Sequence, residues 1–165
     1  MAKASPFQMG PYLSAAFLCE RVLEERDGVK SIVRIVDRMT RSGPPLDESG
    51  EMETWPLSLS LFVRLKAGWA RGPLPLEIRL IKPSGETPSP MQRMIYFEGE
   101  EDRGVDVVVN LTLEVNQTGI YWFEIWLAQE MLTKVPMRII YMPVLTQTGG
   151  TGGTPPSGQE PPPNP

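Results

Sequence analysis

Carboxylates are the side chains through which this sequence could do chemistry. Glu98, Glu100, Glu101, Asp102 and Asp106 fall within one short stretch, Glu-Gly-Glu-Glu-Asp-Arg-Gly-Val-Asp. Two acids held at a defined separation in a cleft can hydrolyse a glycoside without histidine. An acidic loop can also offer oxygen ligands to Ca²⁺. The spacing here lacks the Asp-x-Asp-x-Asp-Gly pattern of a calcium loop, and a run of charge in a loop is usually a solvated surface.

Other chemistries lack their residues. The chain has no histidine, which removes Ser-His-Asp and Cys-His nucleophile pairs and every histidine metal site. Its single cysteine, Cys19, removes disulfides within the chain and Cys-rich metal sites. Cys19 has no evident activating base and reads as a core residue. Gly149, Gly150, Gly152 and Gly153 follow no βαβ unit, so they are not a phosphate cradle. The expectation is a protein without catalytic residues and without a cofactor or bound metal.

The acids must be positioned by strands. From Gly119 to Tyr141 apolar residues alternate: Tyr121, Phe123, Ile125 and Leu127, then Val135, Met137, Ile139 and Tyr141. Period two marks strands that bury one face. The short break at Ala128-Gln129-Glu130 joins them as an antiparallel hairpin. On the opposite parity stand Trp122, Glu124 and Trp126. Two indoles facing outward call for a cover, a subunit contact or a ligand platform. These three residues are the candidate interface.

The rest of the chain reads the same way. Tyr12 to Val22 and Ser31 to Met39 flank Asp27-Gly28, a strong hairpin signal. The paired Ile32-Val33 and Ile35-Val36 break alternation and suggest a bulge or burial on both faces. Arg41 to Pro56 reads as a long polar loop. Leu57 to Leu65 alternates, with Leu57, Leu59, Leu61, Val63 and Leu65 inward and the serines and Arg64 outward. Leu74 to Ile81 is a strand that should begin at a sheet edge, because Pro75 has no N–H to give. Met91 to Phe97 and Val107 to Val115 complete about eight strands with regular turn signals, the pattern of a β-sandwich.

Residues 1–10 read as a loose N-terminal arm, 11–143 as one sandwich domain, and 144–165 as a Gly/Thr/Pro-rich disordered tail. The tail could solubilise, tether, or dock into a proline-binding groove. The formal net charge is −4 and the basic residues are scattered, which argues against nucleic-acid binding. No run is long enough to span a membrane as a helix. The apolar patch Leu13 to Leu18 before Cys19 is too short for a lipoprotein signal, so the expected compartment is the cytoplasm.

Two resemblances bear on fold and function. Gly119-Ile-Tyr121-Trp-Phe123 is similar to the corner of immunoglobulin-like sandwiches, where a tyrosine near the start of a late strand bonds back across the corner. Phe123 stands where antibody domains place a cysteine. More broadly, Leu18-Cys19-Glu20, Asp27-Gly28-Val29, Arg34 to Arg38, Pro83-Ser84-Gly85, Gly104-Val105-Asp106 and Gly119 to Phe123 resemble a bacterial family of small proteins of unknown function. That resemblance implies a single sandwich domain and no established activity. The expected fold is therefore all-β, a two-sheet antiparallel sandwich with immunoglobulin-like or C2-like connectivity. The expected function is a non-enzymatic protein-binding or scaffolding module whose partner is a protein or a second copy. The alternative is a carbohydrate- or cation-binding sandwich, and a carboxylate-dependent hydrolase is the third choice.

Overall fold

The computed structural model describes residues 10–46 and 48–144. The expected arm and tail therefore lie outside the described residues, apart from Gly10 and Val144. Nine strands occur among those described: β1 (Tyr12–Glu24), β2 (Lys30–Val36), β3 (Arg38–Gly43), β4 (Trp55–Lys66), β5 (Arg71–Ile81), β6 (Met91–Glu98), β7 (Gly104–Val115), β8 (Gly119–Leu127) and β9 (Glu130–Pro143). They form a four-stranded sheet in the order β2-β1-β4-β7 and a five-stranded sheet in the order β3-β9-β8-β5-β6. The expected all-β, two-sheet sandwich is the observed fold.

The core lies between the sheets and follows the alternation. Leu57, Leu59, Leu61, Val63 and Leu65 of β4 meet Tyr121, Phe123, Ile125 and Leu127 of β8, with Val135, Met137 and Ile139 of β9 beside them. Phe123, Ile125, Leu61, Val63 and Leu65 have no accessible surface. Burying each such side chain contributes about 1.5–3 kcal/mol, which offsets the entropy of ordering the strands. Cys19 is also fully buried, but it sits outside this cluster with its Sγ toward the Ser60 carbonyl at 3.5 Å. Phe17 and Phe62 stack nearby with ring centroids 5.2 Å apart, so the outward parity of β4 is covered there as well.

Two local expectations changed. β1 and β2 form the hairpin around Gly28 (φ 83°) that Asp27-Gly28 signals, and they keep one register throughout. The irregularity in the Ile-Val pairs is a left-handed Arg34 (φ 47°), not an inserted residue. After Val36 the chain crosses at Asp37 from one sheet to the other. There Arg38–Gly43, which reads partly as loop, pairs in parallel with β9 from Arg138 to Pro143. Among the described residues the sandwich is thus antiparallel except for this ladder. Its apolar residues explain the breakdown in alternation: Val36 and Met39 pack against the core from different sheets.

Pro75 stands where expected. β5 pairs with β6 from Arg71 to Ile78, but with β8 only from Leu76 onward. Pro73 and Pro75 therefore lie in the part of β5 whose β8 side carries no ladder, and the Pro75 carbonyl accepts the Ala128 N–H at 3.0 Å. The β8–β9 connection is the two-residue loop Ala128-Gln129, both left-handed (φ 47° and 71°), as a type I′ hairpin turn requires.

Candidate functional site

The outer face of the five-stranded sheet carries the candidate interface. Register places Arg79 of β5 beside Glu124 of β8, and Glu77 beside Trp126. Lys134 of β9 lies opposite Glu124 on the other side. Glu124 is only 7% exposed, unusual for a carboxylate on an outer face. It is held by two donors: Trp126 Nε1 to Oε2 at 3.0 Å and Lys134 Nζ to Oε1 at 2.7 Å. The Lys134 ammonium leads in keeping the Glu124 carboxyl below the usual range against its burial. The Arg79 guanidinium lies over the Trp126 ring, 4.1 Å from its centroid, and pairs with Glu77. Glu77 also accepts from Gln92 of β6 at 3.0 Å.

Trp122 and Trp126 are accordingly half-buried, and among the described residues no strand overlies them. Their cover is lateral. Arg79 of β5 lies over the Trp126 ring, while Trp122 stands in register between Ile81 of β5 and Pro136 of β9. A shallow recess of about 210 Å³ remains between Pro75, Glu77, Arg79, Gln92, Trp126 and Gln129.

Beyond that recess the same face turns apolar. Tyr96 stands opposite Pro73 and Met94 opposite Pro75. Tyr96 is 64% and Met94 65% exposed. The sequence reading placed a strand here but left these residues unassigned. The available signal was apolar side chains on both parities: Ile95 and Phe97 fill the core, so Met94 and Tyr96 must face out. Arg79 and Lys134 were also missed, because their role depends on cross-strand register.

The five acids of the other candidate group do not converge. Glu98 closes β6, and Glu100, Glu101 and Asp102 lie in the β6–β7 turn. Arg103 pairs with Glu98 and with Glu100, the latter at 2.8 Å. Asp106 is not a loop residue: it lies within β7, where Arg64 of β4 grips it in a bidentate pair, both distances 2.7 Å. Arg64 is the leading cause of a carboxyl held below its ordinary range, with Lys30 and Lys66 adding to it. Lys66 donates to the Asp102 carbonyl at 2.7 Å and so ties the turn to β4. Among the described residues no three His, Cys, Asp or Glu side chains are grouped to hold a metal ion.

The corner residue Tyr121 donates its hydroxyl to the Gln117 carbonyl at 3.2 Å and is almost wholly buried. Burial pushes its phenol above the ordinary tyrosine value. This corner, the parallel β3–β9 ladder and the order β9-β8-β5-β6 facing β1-β4-β7 define the class: an immunoglobulin-like β-sandwich domain. Within that class, the chain belongs to the family of unknown function DUF6941, which matches residues 14–140. No protein of curated function matches the sequence. Among solved structures it is similar to an immunoglobulin-like protein from Pseudomonas aeruginosa, with 10% identity, a TM-score of 0.35, and coverage of 80% of this chain and 98% of that one. Among the described residues no helix is long and apolar enough to cross a membrane.

Proposed function

We propose that this domain is a non-enzymatic protein-binding module that recognises its partner through the outer face of the five-stranded sheet. One observation carries this reading. Tyr96 and Met94, both about two-thirds exposed, line up with Pro73 and Pro75 beside the Trp126 recess. Large apolar side chains grouped on one face of a soluble domain mark an interaction surface. To one side of them, across β5, β8 and β9, lie paired charges, Arg79 with Glu77 and Lys134 with Glu124, which suit the polar border of a protein interface.

The carboxylates support the same reading, because three of the five the sequence offered for chemistry are engaged: Glu98 and Glu100 with Arg103, Asp106 with Arg64. A sugar stacking on Trp126 would first have to displace Arg79 from the ring. The test is site-specific photo-crosslinking in the native host. A photoreactive residue at Met94 or Gln92 is expected to give discrete adducts that mass spectrometry identifies as one protein. The same residue at Glu114, on the other sheet, serves as the control. Equal labelling from all three positions, or none from Met94 and Gln92, overturns the reading.

A further inference from the structure

Four strands end the two sheets among the described residues: β2 and β7 in one, β3 and β6 in the other. An edge strand presents a row of backbone donors and acceptors ready to pair with another chain, and proteins usually blunt it. Three of the four edges are blunted. β2 carries the left-handed Arg34. β3 has six residues and runs into Pro44-Pro45, which have no N–H to give. β7 is crossed by Arg93 of β6, whose guanidinium donates to the Val108 carbonyl at 3.3 Å.

β6 is the least blunted of the four: its one inward-pointing charge, Arg93, is engaged with the Val108 carbonyl of β7. Its eight residues, Met-Gln-Arg-Met-Ile-Tyr-Phe-Glu, contain no proline, no lysine and no left-handed residue, and they pair with β5 alone. Its outward side chains include Met94 and Tyr96, the exposed apolar pair opposite Pro75 and Pro73.

We propose that β6 pairs with β6 of a second copy, antiparallel about a twofold axis at Ile95, so that two five-stranded sheets join into one. The reading rests on the proposed recognition face and names its occupant. Complementarity within the strand selects the register. Antiparallel pairing keeps inward residues opposite inward residues, so the axis must pass through a residue and not between two. An axis at Ile95 sets Met94 opposite the partner's Tyr96, twice, a favourable sulfur–aromatic contact. It also sets Gln92 opposite the partner's Glu98, twice, where the amide hydrogen not given to Glu77 meets the carboxylate oxygen not paired with Arg103. An axis at Tyr96 would instead put Met94 against Glu98 and stack two tyrosines. An axis at Met94 would leave Glu98 beyond the ladder. Pro73 and Pro75 then flank the Met94–Tyr96 pairs on both sides of the junction.

Sedimentation equilibrium of the full chain, from micromolar to millimolar, tests this. Wild type is expected to be a reversible dimer, and Met94→Lys and Tyr96→Lys are expected to be monomers with unchanged far-ultraviolet spectra, since both positions face solvent. A monomeric wild type, or lysine variants that dimerise as wild type does, overturns the proposal. Register is tested separately by mixing Met94→Cys with Tyr96→Cys under mild oxidation; Cys19 is fully buried. The mixture is expected to give the heterodisulfide in preference to either homodisulfide, and preferential homodisulfides overturn the Ile95 axis. If the Met94 photo-crosslink captures a different protein while wild type stays monomeric, self-pairing fails and the binding-module reading stands.

Discussion

Tyr121 reaches from the start of β8 back to the carbonyl of Gln117, donating its hydroxyl across 3.2 Å from an almost fully buried ring. The contact pins the turn through which the chain passes from one sheet to the other. Gln117 fixes the neighbouring turn as well, since its side-chain Oε1 accepts the Ser84 N–H at 3.2 Å. Tyr121→Phe keeps the ring and deletes the bond. Urea denaturation is expected to show a loss of about 1 kcal/mol, the usual value for one neutral hydrogen bond. An unchanged midpoint would remove the corner from the list of stabilising contacts.

The β8–β9 turn carries a local conflict. Ala128 and Gln129 both occupy left-handed backbone, where a side-chain-bearing residue costs roughly 1–2 kcal/mol. Asn-Gly is the sequence this turn prefers. Ala128→Asn with Gln129→Gly is expected to stabilise the domain by about 1 kcal/mol, after allowing for the greater freedom of glycine in the unfolded chain. Thermal denaturation is the measurement, and a lower midpoint would contradict the account.

Gly104 opens β7 against Lys66 of β4. A Cβ there would stand 2.1 Å from the Leu65 carbonyl oxygen, a backbone atom that cannot swing aside. Gly104→Ala is expected to cost about 2–3 kcal/mol by forcing the two strands apart at their end. Hydrogen exchange should show the loss concentrated at the β4–β7 ladder near Lys66, and a uniform effect or none would argue against local strain.

Asp106 and Arg64 give the fold a pH dependence. The Arg64 guanidinium lowers the folded-state Asp106 carboxyl below its unfolded value of about 3.9. Between those two values the unfolded chain binds more protons, so stability rises with pH through that window. The contribution is complete above the unfolded value and is lost as pH falls through the folded one. Asp106→Asn is expected to be less stable than wild type at neutral pH by about 1 kcal/mol, discounted because both side chains are partly exposed. The gap should close on acidification below pH 4, and a gap constant from neutral to acid would assign the loss to packing instead.

Much of the fold could be read from the order of side chains. Alternation at Tyr121, Phe123, Ile125 and Leu127 located β8 and its inward face, and Asp27-Gly28 located the first hairpin. These signals are local: each residue's face follows from its neighbours in the chain. What escaped depends on residues far apart in sequence. β3 offers only Met39 to the core and takes its order from pairing with β9, so its end from Arg41 to Gly43 reads as loop. Asp106 looks like part of an acidic run until Arg64 is set across from it by the β4–β7 register. The outward parity of Trp122 and Trp126 was legible, but the cover of Trp126 by Arg79 and the pairing of Glu124 with Lys134 were not, because they require knowing which strands are neighbours.

The crossing at Asp37 makes the sandwich a closed clasp. The strand that leaves the first hairpin is laid along the last strand, Arg38 beside Arg138, and the Val144 N–H fastens onto the Gly43 carbonyl at 2.8 Å. During synthesis β3 must therefore wait, with its ladder unmade, until nearly the whole domain has left the ribosome. A nascent chain stopped before β9 can complete neither β3's ladder nor β8's second flank.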